Sequence, residues 1–296
     1  MLDYKFKMFE DEEGNCLPSG VDRIIDTHVH VFPDNILEAI WWWFGEYAWP
    51  IRYKLKSEEL IEFLLERGVD HIIALQYAHK PDVARYLNKF VKKIADKYEG
   101  KVTGLASVFP GEKDSENILK EAFDSGLGGV KLHAHVQCFE MLSDGMDIVY
   151  DMCSRYKKPL VIHASREPKS PEYPCDPYDI CDVKHVKSVL ENYPNLKLCV
   201  PHMGVDEYTE YKDLTEKYDN LWLDTAMVIT DYLPVDNPHK LKDMRCDRIM
   251  YGTDFPNIPY AWDRELKEIV DSSLSKEDLD KILYKNAIEF YDLQLD

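Results

Sequence analysis

The chain has 296 residues, with 36 Lys and Arg against 55 Asp and Glu, a formal charge of −19 when histidine is neutral. A phosphate backbone needs a basic face, and here the cations are scattered among more numerous carboxylates, so nucleic acid is not expected as a partner. No stretch approaches the roughly 18 consecutive apolar residues of a membrane helix, the N-terminus lacks the apolar run of a secretory signal, and the seven cysteines form no CxxC pair, so the expectation is a soluble, cytoplasmic protein with reduced thiols.

After an irregular acidic start through Gly20, short β-branched runs recur, each followed by an amphipathic stretch with helical spacing. That alternation is the signature of βα units. Strands are predicted at 23–26, 71–76, 102–108, 129–132, 160–162, 196–200, 221–223 and 248–251. Helices are predicted between them, starting at Ser57, Asp82 and Ser115 and then spanning 143–156, 179–192, 206–218 and 262–272. The stretch 234–245 carries Pro234 and Pro238 and is a poor helix candidate. Residues 275–291 read as an extra terminal helix, with Ser275 and Asp278 spaced like a capping box.

Eight such units over about 270 residues predict a single (β/α)8 barrel domain, 1–296, with 1–20 as an N-terminal extension. An open, doubly wound sheet has the same periodicity and is the alternative. Two segments depart from the repeat. Residues 31–56 form an insert after strand one that contains Trp41, Trp42, Trp43, Phe44, Tyr47 and Trp49, and 165–178 holds Pro168, Pro171, Pro174 and Pro177. Both belong to βα loops, the functional face of a barrel.

The histidines and one aspartate fall at C-terminal strand ends. Asp26-Thr27-His28-Val29-His30 ends strand one, Lys131-Leu132-His133 strand four, His163 strand five and His202 strand six, while Asp254 follows strand eight. Alternate side chains of a strand share a face, so His28 and His30 can offer two nitrogens to one cation, and His163 and Asp254 can complete three imidazoles and a carboxylate. That donor set suits a catalytic divalent metal.

In these stretches the sequence resembles the amidohydrolase-2 branch of the amidohydrolase superfamily, metal-dependent barrel hydrolases and decarboxylases. The resemblance rests on IIDTHVH at 24–30, GGVKLHAH at 128–135, PLVIHAS at 159–165, VPHMG at 200–204, LWLDTA at 221–226, IMYGTDFP at 249–256 and KNAIEFYDL at 285–293. It implies that His28, His30 and His163 ligate one divalent ion, Zn2+ first with Mn2+ or Fe2+ as alternatives, and that Asp254 binds the metal or its water. It also implies that His202 polarises the substrate or orients water. Binuclear members of the superfamily bridge two ions with a carboxylated strand-four lysine, which here would be Lys131; otherwise Lys131 pairs with a carboxylate such as Asp224.

His133 is expected to contact substrate or to serve structure, and Arg166 is a candidate clamp for a substrate carboxylate. The Trp41 to Trp49 cluster, with Trp41 as a substrate contact, is expected to form a lid or a contact between copies in a homo-oligomer. Cys175 and Cys181 are expected to pack. The reading placed first is hydrolysis of an amide, ester or lactone of a small carboxylate-bearing molecule by metal-activated water, with Asp254 moving the proton. Non-oxidative decarboxylation is the alternative, and a non-catalytic ligand-binding barrel is a third reading.

Overall fold

The computed structural model describes residues 7–167, 172–233 and 240–295. Its parallel strands are β1 (Ile25–His30), β2 (His71–Leu75), β3 (Val102–Gly104), β4 (Val130–His133), β5 (Leu160–His163), β6 (Leu198–Val200), β7 (Leu221–Asp224) and β8 (Ile249–Met250). They form two arcs, β1-β2-β3 and β4 through β8. Single parallel bridges join the arcs at both seams, Ala106 to Val130 and Val29 to Phe255. There Lys131 N–H donates to Ala106 O at 2.8 Å and His30 N–H to Phe255 O at 2.7 Å. The sheet therefore closes into the expected (β/α)8 barrel, and the open-sheet alternative, which would leave two unpaired edges, is set aside.

Alternate strand positions fill the interior. Ile25, Ile73, Leu75, Leu105, Val161, Cys199, Trp222 and Met250 make one apolar cluster. The terminal helix closes its lower end, with Phe290 at 5.1 Å from Trp222 between ring centroids and Ala287 and Tyr291 in the same cluster. That terminal element is not one helix but helical pieces at Lys276–Asp280 and Asn286–Tyr291 around a π-helical turn, Lys281–Lys285. Ser275 caps it as its spacing predicts, accepting from Asp278 N–H at 3.1 Å.

Strict alternation from Ile25 would turn Thr27 and Val29 inward and the two histidines outward. The register of β1 against β2 shifts between Asp26 and Val29, and such a bulge resets the alternation. Val29 thereby joins the apolar layer under the helices, and His28 and His30 turn into the barrel mouth.

The surrounding helices bury one face each; Ala84–Lys97, for example, buries Ala84, Leu87, Val91 and Ile94 at helical spacing. The insert after β1 holds a helix of its own, α1 (Asp34–Tyr47), ahead of α2 (Ser57–Glu66). The N-terminal extension is pinned by Asp11, which accepts from Arg52 Nη1 at 2.7 Å, Ala261 N–H at 3.0 Å and Arg264 Nη1 at 3.2 Å. The weakest of the predicted helices, 234–245, is not found among its described residues, where Leu241–Asp243 form only a 3₁₀ turn; Pro234 and Pro238, like Pro168 and Pro171, lie outside the described residues. Among the described residues no helix is long and apolar enough to cross a membrane.

Candidate metal centre

At the C-terminal strand ends, His28, His30 and Asp254 converge and are all buried. Asp254 stands past β8 with φ +66°, in the left-handed region that aspartate tolerates. Gly252 lets that chain end approach β1, because a Cβ there would lie 2.9 Å from the Cβ of His28.

His28 Nδ1 lies 2.8 Å from Asp224 Oδ2. The carboxylate accepts, so the proton is assigned to Nδ1 and the lone pair of Nε2 faces the mouth. That nitrogen is 3.4 Å from Asp254 Oδ1 and 3.5 Å from Lys131 Nζ. His30 Nε2 lies 2.8 Å from the same Asp254 oxygen, and its buried Nδ1 has no hydrogen-bond partner. Two imidazole nitrogens thus meet one carboxylate oxygen, and the lone pair of His28 facing it has no proton to share. A divalent cation fits this donor set.

Burial drives both imidazoles below their ordinary pKa, with the Lys131 charge adding to the effect at His28. The neutral ring that results is the ligating form. Burial would raise the Asp254 pKa, but the hydrogen bond from His30 and the neighbouring histidines outweigh it and hold the carboxyl well below the usual range.

His163 stands in an adjacent group. His133 on β4 is the direct register partner of His163 on β5, and their rings stack at 4.1 Å with 7° between planes. His135, in the short helix Ala134–Gln137, sets its ring edge-on to both, at 4.4 and 4.8 Å. One ring nitrogen from each of the three lies within 4.8 Å of the others. His202 links the two groups. Its Nδ1 donates to Ala226 O at 2.9 Å, so its Nε2 accepts from His163 Nδ1 at 3.1 Å, and its ring is 5.0 Å from that of His28. Burial brings the His163 pKa down to about 3. The ligand set implied by resemblance is therefore placed as His28, His30 and Asp254 together, with His163 beside His133 and His135.

Lys131 is fully buried among these groups, where burial lowers its pKa to about 8 against the opposing charges of Asp224 and Asp254. The suggested Lys131–Asp224 pair does not form. Asp224 is taken by His28 and by the N–H groups of His202 and Ala226, at 2.8 and 3.2 Å. Arg166 is not a free fork either: it donates to Cys181 O and Asp182 Oδ2, both at 2.8 Å, and so ties the loop after β5 to the N-terminus of the helix Val183–Asn192.

Trp41 is half-buried against the outer core. Its neighbour Trp43 is the indole that reaches the site, because it stacks on Tyr173 at 5.4 Å and 15°. Tyr173 in turn packs 4.7 Å from His135 and donates to Glu167 Oε1 at 3.0 Å. All seven cysteines are free thiols.

Sequence reasoning missed the contact of Asp224 with His28 and the places of His135, Glu167 and Tyr173 in the mouth. His135 carried a signal, since His133-Ala134-His135 repeats the spacing of His28-Val29-His30. Glu167 carried none, lying in a proline-rich loop whose path the periodicity does not constrain.

A sequence model of the family described as amidohydrolase matches residues 25–293. No match is found among curated proteins. Among solved structures, an uncharacterised TIM-barrel protein from Bordetella bronchiseptica is similar with TM-score 0.71 at 17% identity, over 91% of this chain and 98% of that one. A 5-carboxyvanillate decarboxylase from Novosphingobium aromaticivorans, complexed with manganese and 4-hydroxy-3-methoxy-5-nitrobenzoic acid, gives 0.65 at 15% identity, over 96% and 100%. The 2,6-dihydroxybenzoate decarboxylase from Rhizobium gives 0.66 at 14% identity, over 92% and 99%. At such identities the likeness establishes the barrel.

Proposed function

The chain belongs to the amidohydrolase family, and from that premise we propose that it is a metal-dependent, non-oxidative decarboxylase of a small aromatic carboxylate. The observation that carries this reading is the wall of rings around the His28, His30 and Asp254 donors. Phe32 lies parallel to His30 at 6.2 Å and 9°, and Tyr77 stands edge-on to His30, Phe32 and His133 at 5.8, 5.2 and 5.0 Å. Such walls favour a planar ring by stacking and edge contacts. The fold shared with decarboxylases of 5-carboxyvanillate and 2,6-dihydroxybenzoate supports the same reading. Decarboxylation therefore takes precedence over the acyl hydrolysis that the sequence placed first, although both would use the same donors.

His28, His30 and Asp254 would hold the cation, which when bound supplies a Lewis acid toward a substrate oxygen. Zn2+ suits this set, and the manganese in the Novosphingobium decarboxylase supports testing Mn2+ beside it. Loss of CO2 leaves an electron pair on the ring carbon that a proton must quench. Asp254 is ionised in the free protein, so the proton it delivers is one it takes up with the substrate, from a phenolic hydroxyl or from water. Asp224 fixes the proton of His28 at Nδ1, so its Nε2 stays turned to the mouth, and Ala226 O fixes that of His202 at Nδ1, so its Nε2 accepts from His163 Nδ1. Arg166 is bound to Asp182, which leaves the cation and the field of Lys131 to meet the substrate's negative charge.

The test is to incubate protein reconstituted with Zn2+ or Mn2+ with a panel of hydroxylated benzoates and of amides, esters and lactones, following CO2 release and acyl cleavage in parallel. CO2 from a benzoate is the expected result. Acyl cleavage with no CO2 from any acid would overturn the proposal.

A further inference from the structure

We infer that the N-terminal extension and residues 49–53 of the insert clamp the loop that carries Asp254, with Trp49 as a positioning residue for that carboxylate. The inference rests on the cation centre at His28, His30 and Asp254, and not on the reaction assigned to it. Asp254 keeps φ at +66°, and a residue with a side chain holds such a conformation where its surroundings over-determine it.

The barrel holds this loop at Thr253 and Phe255. Thr253 Oγ1 donates to Asp26 Oδ2 at 2.6 Å, and His30 N–H donates to Phe255 O. From Asn257 to Trp262 the backbone is bonded instead to the two segments that stand outside the βα repeat. Trp49 Nε1 donates to Asn257 O at 2.7 Å, Arg52 N–H to Ile258 O at 3.0 Å and Phe9 N–H to Pro259 O at 2.9 Å. In return, Ala261 N–H donates to Asp11 Oδ1 at 3.0 Å, Trp262 N–H to Tyr53 Oη at 3.0 Å and Trp262 Nε1 to Gly14 O at 2.8 Å. The two segments are also locked to each other, because Arg52 donates to Asp11 at 2.7 Å and Tyr53 Oη donates to Glu13.

Within this clamp Trp49 reaches closest to the donor. Asn257 N–H donates to Asp254 O at 2.9 Å, so the indole holds the residue that closes the turn begun at Asp254. Asn257 is buried, and a carbonyl there that loses its donor must turn to find another. That movement carries the Asp254 carboxylate with it. Asp254 Oδ1 now lies 2.8 Å from His30 Nε2 and 3.4 Å from His28 Nε2. Convergence of three donors on one ion tolerates only a small shift, which is why residues behind a ligand tune affinity.

The experiment reads the cation centre. Metal-free full-length wild type, Trp49→Phe, Asp11→Asn and Trp42→Phe are titrated with Co2+ by visible absorption and with Zn2+ against a chelating dye, with far-ultraviolet circular dichroism as the control for folding. Trp49→Phe keeps a ring against Phe44 and Tyr232 and removes the N–H donor. Asp11→Asn keeps an acceptor for Ala261 N–H and removes the charge that faces Arg52 and Arg264. Trp42 is exposed on the same insert and serves as the control.

Trp49→Phe should weaken Zn2+ binding about tenfold and change the Co2+ absorption band. Asp11→Asn should act in the same direction, and Trp42→Phe should match the wild type. Wild-type affinity and absorption in a folded Trp49→Phe overturn the inference, as does an equal loss in Trp42→Phe. Where Trp49→Phe does not fold, wild-type behaviour of Asp11→Asn, altered at a half-buried side chain, overturns it. A wild type that takes up neither ion would remove the cation centre and the clamp together, whereas unaltered binding in the variants removes the clamp alone. The readout is binding, so a protein that releases no CO2 would leave this result standing.

Discussion

His28 and Asp224 meet across the barrel mouth, Nδ1 to Oδ2 at 2.8 Å, from strands β1 and β7 that do not pair with one another. Asp224 also accepts the backbone N–H of His202 at 2.8 Å, so one carboxylate orients a cation donor and the histidine beside it. Such carboxylate–histidine contacts set both the tautomer and the ring angle of a ligand.

Asp224→Asn should therefore weaken binding of the ion at His28 and His30 by about 10–100-fold while leaving the barrel folded. Competitive Zn2+ titration against a chelating dye measures this, with far-ultraviolet circular dichroism as the control for folding. Unchanged affinity would mean that Asp224 serves the backbone of the β6 loop alone.

Asp254→Asn should lower kcat for CO2 release by about 10²–10⁴-fold, the range for loss of a positioned acid–base group. Asparagine keeps the shape of the side chain but cannot carry the proton. Steady-state rates at saturating metal separate this effect from lost occupancy, and an unaltered kcat would assign Asp254 to structure.

Removal of the metal gives a third outcome. Dialysis against a strong chelator should abolish turnover, and stoichiometric Zn2+ or Mn2+ should restore it. Turnover that persists in protein verified as metal-free would remove the ligand role from His28 and His30.

The pattern of βα alternation made the barrel legible, because each strand needs helices on its outer face and that requirement is written in the periodicity. The site was legible in the histidines of β1, β4, β5 and β6 because strand ends point at one face of a barrel whatever its loops do. The reason for the inward turn of His28 and His30 was not: it depends on a one-residue bulge after Asp26, which side-chain alternation by itself does not encode. Asp224 was seen as a partner for Lys131, since sequence gives the strand face but not the distances across the mouth. Arg166 and Glu167 are consecutive loop residues with opposite fates, one tied to Asp182 and the other turned to His135. Only three-dimensional packing distinguishes them.

The three adjacent tryptophans of α1 separate a lid contact from a surface residue. Trp43 stacks on Tyr173, whereas Trp42 is 61% exposed. Trp43→Ala removes the stack on Tyr173, a pair worth about 0.5–1.5 kcal/mol beyond area burial, and should raise KM by about 2–12-fold. Trp42→Ala should change KM little. Equal effects from the two would dissociate α1 from the site.

Glu265 supplies a pH dependence from a group outside the donor set. It is fully buried, accepts from Tyr260 Oη at 2.6 Å and from Met227 N–H at 3.0 Å, and its second oxygen has no hydrogen-bond partner. Burial raises its pKa from 4.5 to about 8, so the folded protein keeps this proton where the unfolded chain releases it. The folded state binds more protons than the unfolded one between those two values, and stability therefore falls as pH rises through that window. The stabilisation is complete below pH 4.5 and is lost by about pH 8, a difference of ~a few kcal/mol. Glu265→Gln keeps an acceptor for both hydrogen bonds and cannot ionise. Its Tm should match the wild type near about pH 5 and exceed it near about pH 8.5, by roughly 2–4 °C for each kcal/mol. Thermal melts across that range test this directly: other groups titrate in both proteins and cancel in the difference, so parallel curves would show that Glu265 is already ionised in the fold.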